Sequence, residues 1–91
     1  MRTDTKQNCG DRLKRIEGQV RGIARMIEED RYCIDVLTQV RAVRAALRGV
    51  EDEVLKDHVE HCVEGAITSG DGADQRRKVQ ELLTVLTQRD R

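Results

Sequence analysis

Proline, phenylalanine and tryptophan are all missing from this chain of 91 residues, and Tyr32 is its single aromatic residue. A composition of that kind reads as helical, with aliphatic cores. No apolar run approaches the roughly 18 residues of a membrane span. The polar start MRTDTKQNCG has no apolar signal region, so nothing points to secretion and a cytoplasmic protein is expected. In that compartment Cys9, Cys33 and Cys62 are reduced thiols rather than a disulfide framework. No helix-turn-helix, zinc-finger or ribbon pattern is present. No oxyanion loop or substrate pocket can be read either, which argues against an enzyme.

What is present is charge, in a segregated pattern. The 17 basic and 17 acidic residues cancel. From Arg12 to Arg48, however, nine Arg and Lys stand against five Asp and Glu, while Glu51 to Glu64 holds six acids and only Lys56. Arg41, Arg44 and Arg48 recur at i, i+3 and i+7, and Arg12, Lys14 and Arg15 cluster upstream. Such a stripe is either a solvated face or a surface for a polyanion, and the local patch matters more than the neutral sum.

Apolar spacing divides the chain into a loose polar tail over residues 1–10 and a single all-helical domain over 11–91. Leu13, Ile16, Val20, Ile23, Ala24 and Ile27 mark an amphipathic helix from about Asp11 to Glu29. EEDR, Glu28 to Arg31, breaks it. Val36, Val40, Val43, Leu47, Val50 and Val54 then form a heptad seam, and apolar periodicity continues through Leu55, Val59, Val63 and Ile67. TSGDGAD is a turn with a helix cap expected at its end, and Val79, Leu82, Leu83 and Leu86 mark a last helix.

A central helix of about 35 residues spans roughly 50 Å, longer than a small domain is wide. Its seam is most simply covered by a second copy of itself. The fold expected is all-α, with three helices per chain and the long central helix forming an antiparallel four-helix-bundle dimer. A monomeric three-helix bundle kinked at Gly49 is the competing reading.

Three of the five cysteine and histidine residues fall in KDHVEHC, Lys56 to Cys62. His58 and Cys62 are four apart and stack on one helical face. Cys33 shares that face to within about 20°, but lies roughly 37 Å away along the axis. One straight helix cannot bring Cys33 to His58, whereas an antiparallel partner can, with its two-fold near Ala46 and Leu47. Two thiolates and one imidazole make a soft, three-coordinate set, suited to Cu(I) better than to structural zinc. Against this stands the plain alternative that cytosolic cysteines are often simply buried. His61 points about 60° away from His58 and reads as a polar neighbour.

From Arg12 to Cys62 the sequence resembles the CsoR/RcnR family of bacterial metal-responsive repressors. The resemblance is carried by RIEGQVRGI in the first helix and by YCIDVL followed at the right distance by HxxxC. It implies that Cys33, His58 and Cys62 are the Cu(I) ligands of the copper-sensing branch. Nickel and cobalt sensors add an N-terminal histidine, formaldehyde sensors lack the third cysteine, and persulfide sensors lack the histidine.

The resemblance also implies Tyr32 and Glu81, in VQELL, as outer partners of the histidine. It further implies binding of double-stranded operator DNA by a homotetramer, a dimer of dimers, with Arg12 at a DNA-contacting position and the stripes of Lys14, Arg15, Arg41, Arg44 and Arg48 as the same kind of surface. Gly49 departs from the pattern: it stands where a further arginine is often found, with Arg48 beside it as the substitute. The function expected is a repressor that holds operator DNA in the apo form and lets go on binding Cu(I), at a copper-export or copper-tolerance operon. Two rivals remain: a thiol or persulfide switch of the same fold, and a cytosolic copper-binding protein with no DNA role. Cys9 matches no family position.

Overall fold

The structure, a computed structural model, describes residues 1–88 and all of their side chains except those of Cys62 and Val63. Among the described residues every regular element is helical. These elements are α1 (Thr3–Glu28), α2 (Cys33–Asp57), a π-helical turn (His58–Val63), α3 (Glu64–Ser69) and α4 (Gly72–Gln88). The backbone stays helical from Cys33 to Ser69, which is the long central element expected from the heptad seam. The chain divides into two compact units, Met1–Leu55 and Lys56–Arg91.

In the first unit α1 and α2 form an antiparallel pair. Cys9 meets Glu53, and further along the pair Ile16 and Ala46 line one groove while Ile23 and Gln39 line another. Cys9 and Ile16 on α1 and Val43 on α2 are buried, and Ile23 is half-buried. Cys9, Ile16 and Ile23 repeat every seven residues, so they form one stripe of α1. Leu13, Val20 and Ile27 form a second stripe that stays exposed.

Two boundaries differ from expectation. Residues 1–10 were expected to be a loose tail, yet α1 begins at Thr3 and buries Cys9. The segment has little apolar periodicity of its own, and its helix is supported by packing across to α2, which a one-dimensional pattern does not show. The cap of the last helix was expected at the end of TSGDGAD. It is Asp71 instead: its Oδ1 accepts from the N–H groups of Ala73 and Asp74 at 3.0 and 3.3 Å. Asp74 sits inside the first turn and pairs with Arg77 at 2.6 Å. Asp71 satisfies exposed N–H groups of the helix start directly, whereas the Asp74 carboxylate is turned to the Arg77 guanidinium.

The second unit is small. The π turn and α3 pack together, and α4 returns against both after a tight turn at Gly70, whose φ of 76° favours glycine. Ala66 is buried there, and Gln75 Nε2 donates to the Ile67 carbonyl at 3.1 Å, satisfying an open C=O near the end of α3.

The turn between α1 and α2 is closed by backbone bonds. Arg31 N–H donates to the Met26 carbonyl at 3.0 Å and Asp30 N–H to that of Ile27 at 3.2 Å. Asp30 sits in the left-handed region at φ 55°, the paired arrangement that usually ends on glycine. An aspartate there carries a steric cost that glycine avoids, partly offset by glycine's greater freedom when unfolded. Asp30→Gly is therefore expected to stabilise the protein by about 0.5 to 1 kcal/mol. Asp71→Ala is expected to cost roughly 1 kcal/mol through the lost cap. Urea unfolding at fixed protein concentration, with an unchanged slope, checks both.

Candidate metal centre and nucleic-acid interface

Cys33 is the first residue of α2. The preceding Tyr32 carbonyl accepts from the N–H groups of Asp35 and Val36 at 3.0 and 3.2 Å, so the backbone anchors the start of the helix. The Cys33 thiol is free and exposed. Tyr32 itself is 69% exposed, its ring free of the core.

His58 and Cys62 both lie in the π turn, not on regular α-helix as the four-residue spacing suggested. The Glu64 N–H reaches the Val59 carbonyl, a five-residue step. This widening inserts extra backbone into one turn, and such π-bulges often mark functional sites. His58 is half-buried and follows the buried Asp57, while His61 is exposed. The side chain of Cys62 lies outside the described residues. Glu81 is exposed on α4, and its Oε2 lies 3.9 Å from Lys78 Nζ. Among the described residues of one chain, no three His, Cys, Asp or Glu side chains gather as a metal site.

The donor types suit a soft cation. Thiolate and imidazole favour Cu(I), with zinc as the usual competitor when four ligands are available. Cys33, His58 and Cys62 would supply two sulfurs and one nitrogen.

The basic residues expected at DNA lie in the first unit, most of them in two groups. Arg41, Arg44 and Arg48 line one shallow groove of about 270 Å³ with Ala45, since positions three and seven apart share a helix face. Arg12 and Arg15 line another of about 260 Å³ with Ile16, Gln19 and Ala46. Lys14 is exposed on α1 outside that groove. Arg12 is not simply solvated: its Nη2 lies 3.7 Å from Glu53 Oε1. Glu53 and Cys9 carried no signal as site residues in the sequence. Only the register of α1 against α2 brings them to Arg12.

The metal-sensitive transcriptional repressor family matches this sequence over residues 5–88. The chain belongs to that family. Among its relatives, the copper-sensing transcriptional repressor RicR of Mycobacterium tuberculosis is 60% identical over 73 residues, covering 79% of this chain and 76% of its own length. The copper-sensing transcriptional repressor CsoR of Bacillus subtilis is 54% identical over 80 residues, covering 88% of this chain and 76% of its own.

Among solved structures, the copper-sensing repressor CsoR with Cu(I) from Geobacillus thermodenitrificans superposes with a TM-score of 0.89 at 43% identity. The match covers 100% of this chain and 92% of that one. The family resemblance and the all-helical fold expected from the sequence are thus both borne out. Among the described residues no helix is long and apolar enough to cross a membrane.

Proposed function

We propose that this protein is a Cu(I)-responsive transcriptional repressor, cytoplasmic and without enzymatic activity, that holds operator DNA in its apo form and releases it on binding copper. The observation that carries this reading is 60% identity to one copper-sensing repressor, joined to likeness along the whole chain to another that holds Cu(I).

The residues read as ligands are Cys33, His58 and Cys62, shared between two protomers. Covalent geometry supports the sharing. Cys33 and Leu55 lie in one unit at either end of a helical stretch about 33 Å long. The three residues onward to His58 reach at most about 11 Å, so Cys33 and His58 of one chain stay roughly 20 Å or more apart. Metal bonds of about 2 Å cannot close that gap. A second copy running antiparallel offers His58 of the partner subunit and Cys62 of the partner subunit to Cys33.

The apolar seam supports the same assembly. Of its six residues only Val43 is buried within the chain, and Leu47 remains 44% exposed. Covering such part-exposed side chains is worth about 1 kcal/mol each, so a homodimer, paired again into a tetramer, gives them a partner.

When bound, Cu(I) supplies a soft centre that draws two thiolates and an imidazole from two protomers to one point. The chain's own part is positional. Cys33 begins the helix that carries Arg41, Arg44 and Arg48, so fixing the start of α2 fixes the direction of the basic stripe. A carboxylate at Glu81 would orient the imidazole if it exchanged Lys78 for the ring N–H of His58, with Tyr32 as the other outer partner. A coupling of about 1 to 3 kcal/mol, a change of roughly 5- to 150-fold in DNA affinity, is typical of such switches. The exposed Cys33 thiol also favours a second reading, a persulfide-responsive repressor. Release of DNA by an organic persulfide, which passes its outer sulfur to the Cys33 thiolate and leaves as a thiolate, without metal, and none by Cu(I), would select it.

Phosphate contacts make a salt-dependence prediction. Binding of the apo protein to a duplex it selects from random sequence should weaken steeply with salt. Arg44→Ala should lower the slope of log affinity against log salt by about one. A slope unchanged by that substitution removes Arg44 from the interface.

The shared site makes another. Cys33→Ser and His58→Ala/Cys62→Ser chains should each lack tight Cu(I) binding alone. Co-refolded, half of the dimers are mixed and each regains one site, so tight Cu(I) should return to roughly a quarter of an equivalent per chain. Anaerobic titration against a Cu(I) chelator measures it, and no recovery despite proven mixed dimers excludes a shared site.

A further inference from the structure

Where α1 crosses α2, Arg12 is engaged by an acidic residue that neither the metal ligands nor the basic stripe includes. Arg12 Nη2 stands 3.7 Å from Glu53 Oε1, with the two side chains 45% and 30% exposed. The other oxygen, Glu53 Oε2, accepts from the buried Cys9 thiol at 3.4 Å, which holds the carboxylate in place from behind. Gly49 lies one helical turn before Glu53, and a Cβ there would come within 2.8 Å of Arg12 Nη1. The missing side chain leaves a notch, and the guanidinium lies in it. The same Arg12 lines the groove shared with Arg15 and Gln19.

At 3.7 Å the contact is an ion pair longer than a hydrogen bond, so it offsets the guanidinium's charge rather than occupying its donors. The carboxylate also repels an approaching phosphate, more strongly because it is partly buried and so less screened. We infer that Glu53 is an internal competitor for DNA phosphate at Arg12, and that the open space at Gly49 eases the approach of the guanidinium to it. The inference rests on the DNA-binding reading above and adds an affinity-setting residue to it. Glu53 holds the apo protein's grip below what its arginines alone would give, leaving the complex easier to dissolve when the effector arrives.

Fluorescence anisotropy on a labelled duplex, selected from random sequence by the wild-type apo protein, tests this under anaerobic, copper-free conditions. Glu53→Gln keeps a hydrogen-bonding group beside Cys9 but removes the charge. It should tighten binding roughly two- to five-fold, the range of a partly exposed ion pair. The gain should vanish in an Arg12→Ala background. Gly49→Ala should act in the same direction by pushing the guanidinium out of the notch. Because alanine suits a helix better than glycine, its melting temperature should not fall, which separates the effect from misfolding.

No tightening by either substitution overturns the competitor. So does an equal gain with and without Arg12, which reports only the loss of one negative charge. Operator binding that ignores Arg12→Ala also overturns it while leaving the repressor reading intact. A wild-type apo protein that selects no duplex sinks the repressor reading itself.

Discussion

The apolar side chains of this protein outnumber the places one chain has to put them. Among the described residues no large side chain is fully buried, while Leu13, Val20, Leu37, Leu47 and Leu83 all remain exposed. Each is about half exposed, so covering it would be worth about 0.7 to 1.5 kcal/mol, and together they approach the lower end of the 5 to 15 kcal/mol that holds a whole domain together. Under the proposed assembly this surface is what a second copy would cover. A site split between two protomers would then need no contact beyond those the seam itself offers.

Charge is arranged along the chain in the same economical way. The arginines of α2 share a face with one another because of their spacing, and the acids follow in sequence after them. Zero net charge is thus compatible with a local surface for phosphate, because screening confines each patch to its own neighbourhood of about 10 Å. Opposite charges meet across two helices where Arg12 approaches Glu53. Gly49 leaves room beside this contact, since a Cβ there would come within 2.8 Å of Arg12 Nη1.

The period of Val36, Val40, Val43, Leu47, Val50 and Val54 was enough to reveal a long central helix, because nothing but a helix returns to one face at that spacing. RIEGQVRGI and YCIDVL were enough to reveal the family. What escaped reading depends on distance in space rather than along the chain. The helical start at Thr3 is stabilised by Cys9 packing near α2, and the grouping of Cys9, Arg12 and Glu53 depends on how two helices slide past one another. The π turn escaped for a different reason, since a histidine and a cysteine four apart look alike in α and π backbone. Asp71 and Asp74 are both competent caps, and only the observed hydrogen bonds decide between them.

The turn that joins α1 to α2 sets the position of Cys33 by backbone alone. Its closing bonds run between N–H and C=O groups of Arg25, Met26, Ile27, Glu29, Asp30 and Arg31, and Tyr32 starts the next helix through its carbonyl. None of these bonds reads the side chains, so Arg31 and the neighbouring Glu29 are open to substitution without moving the cysteine. A single inserted or deleted residue is another matter. It would break the paired N–H to C=O bonds that fix where α2 begins after α1, so this short connection is free to drift in composition and is held to one length.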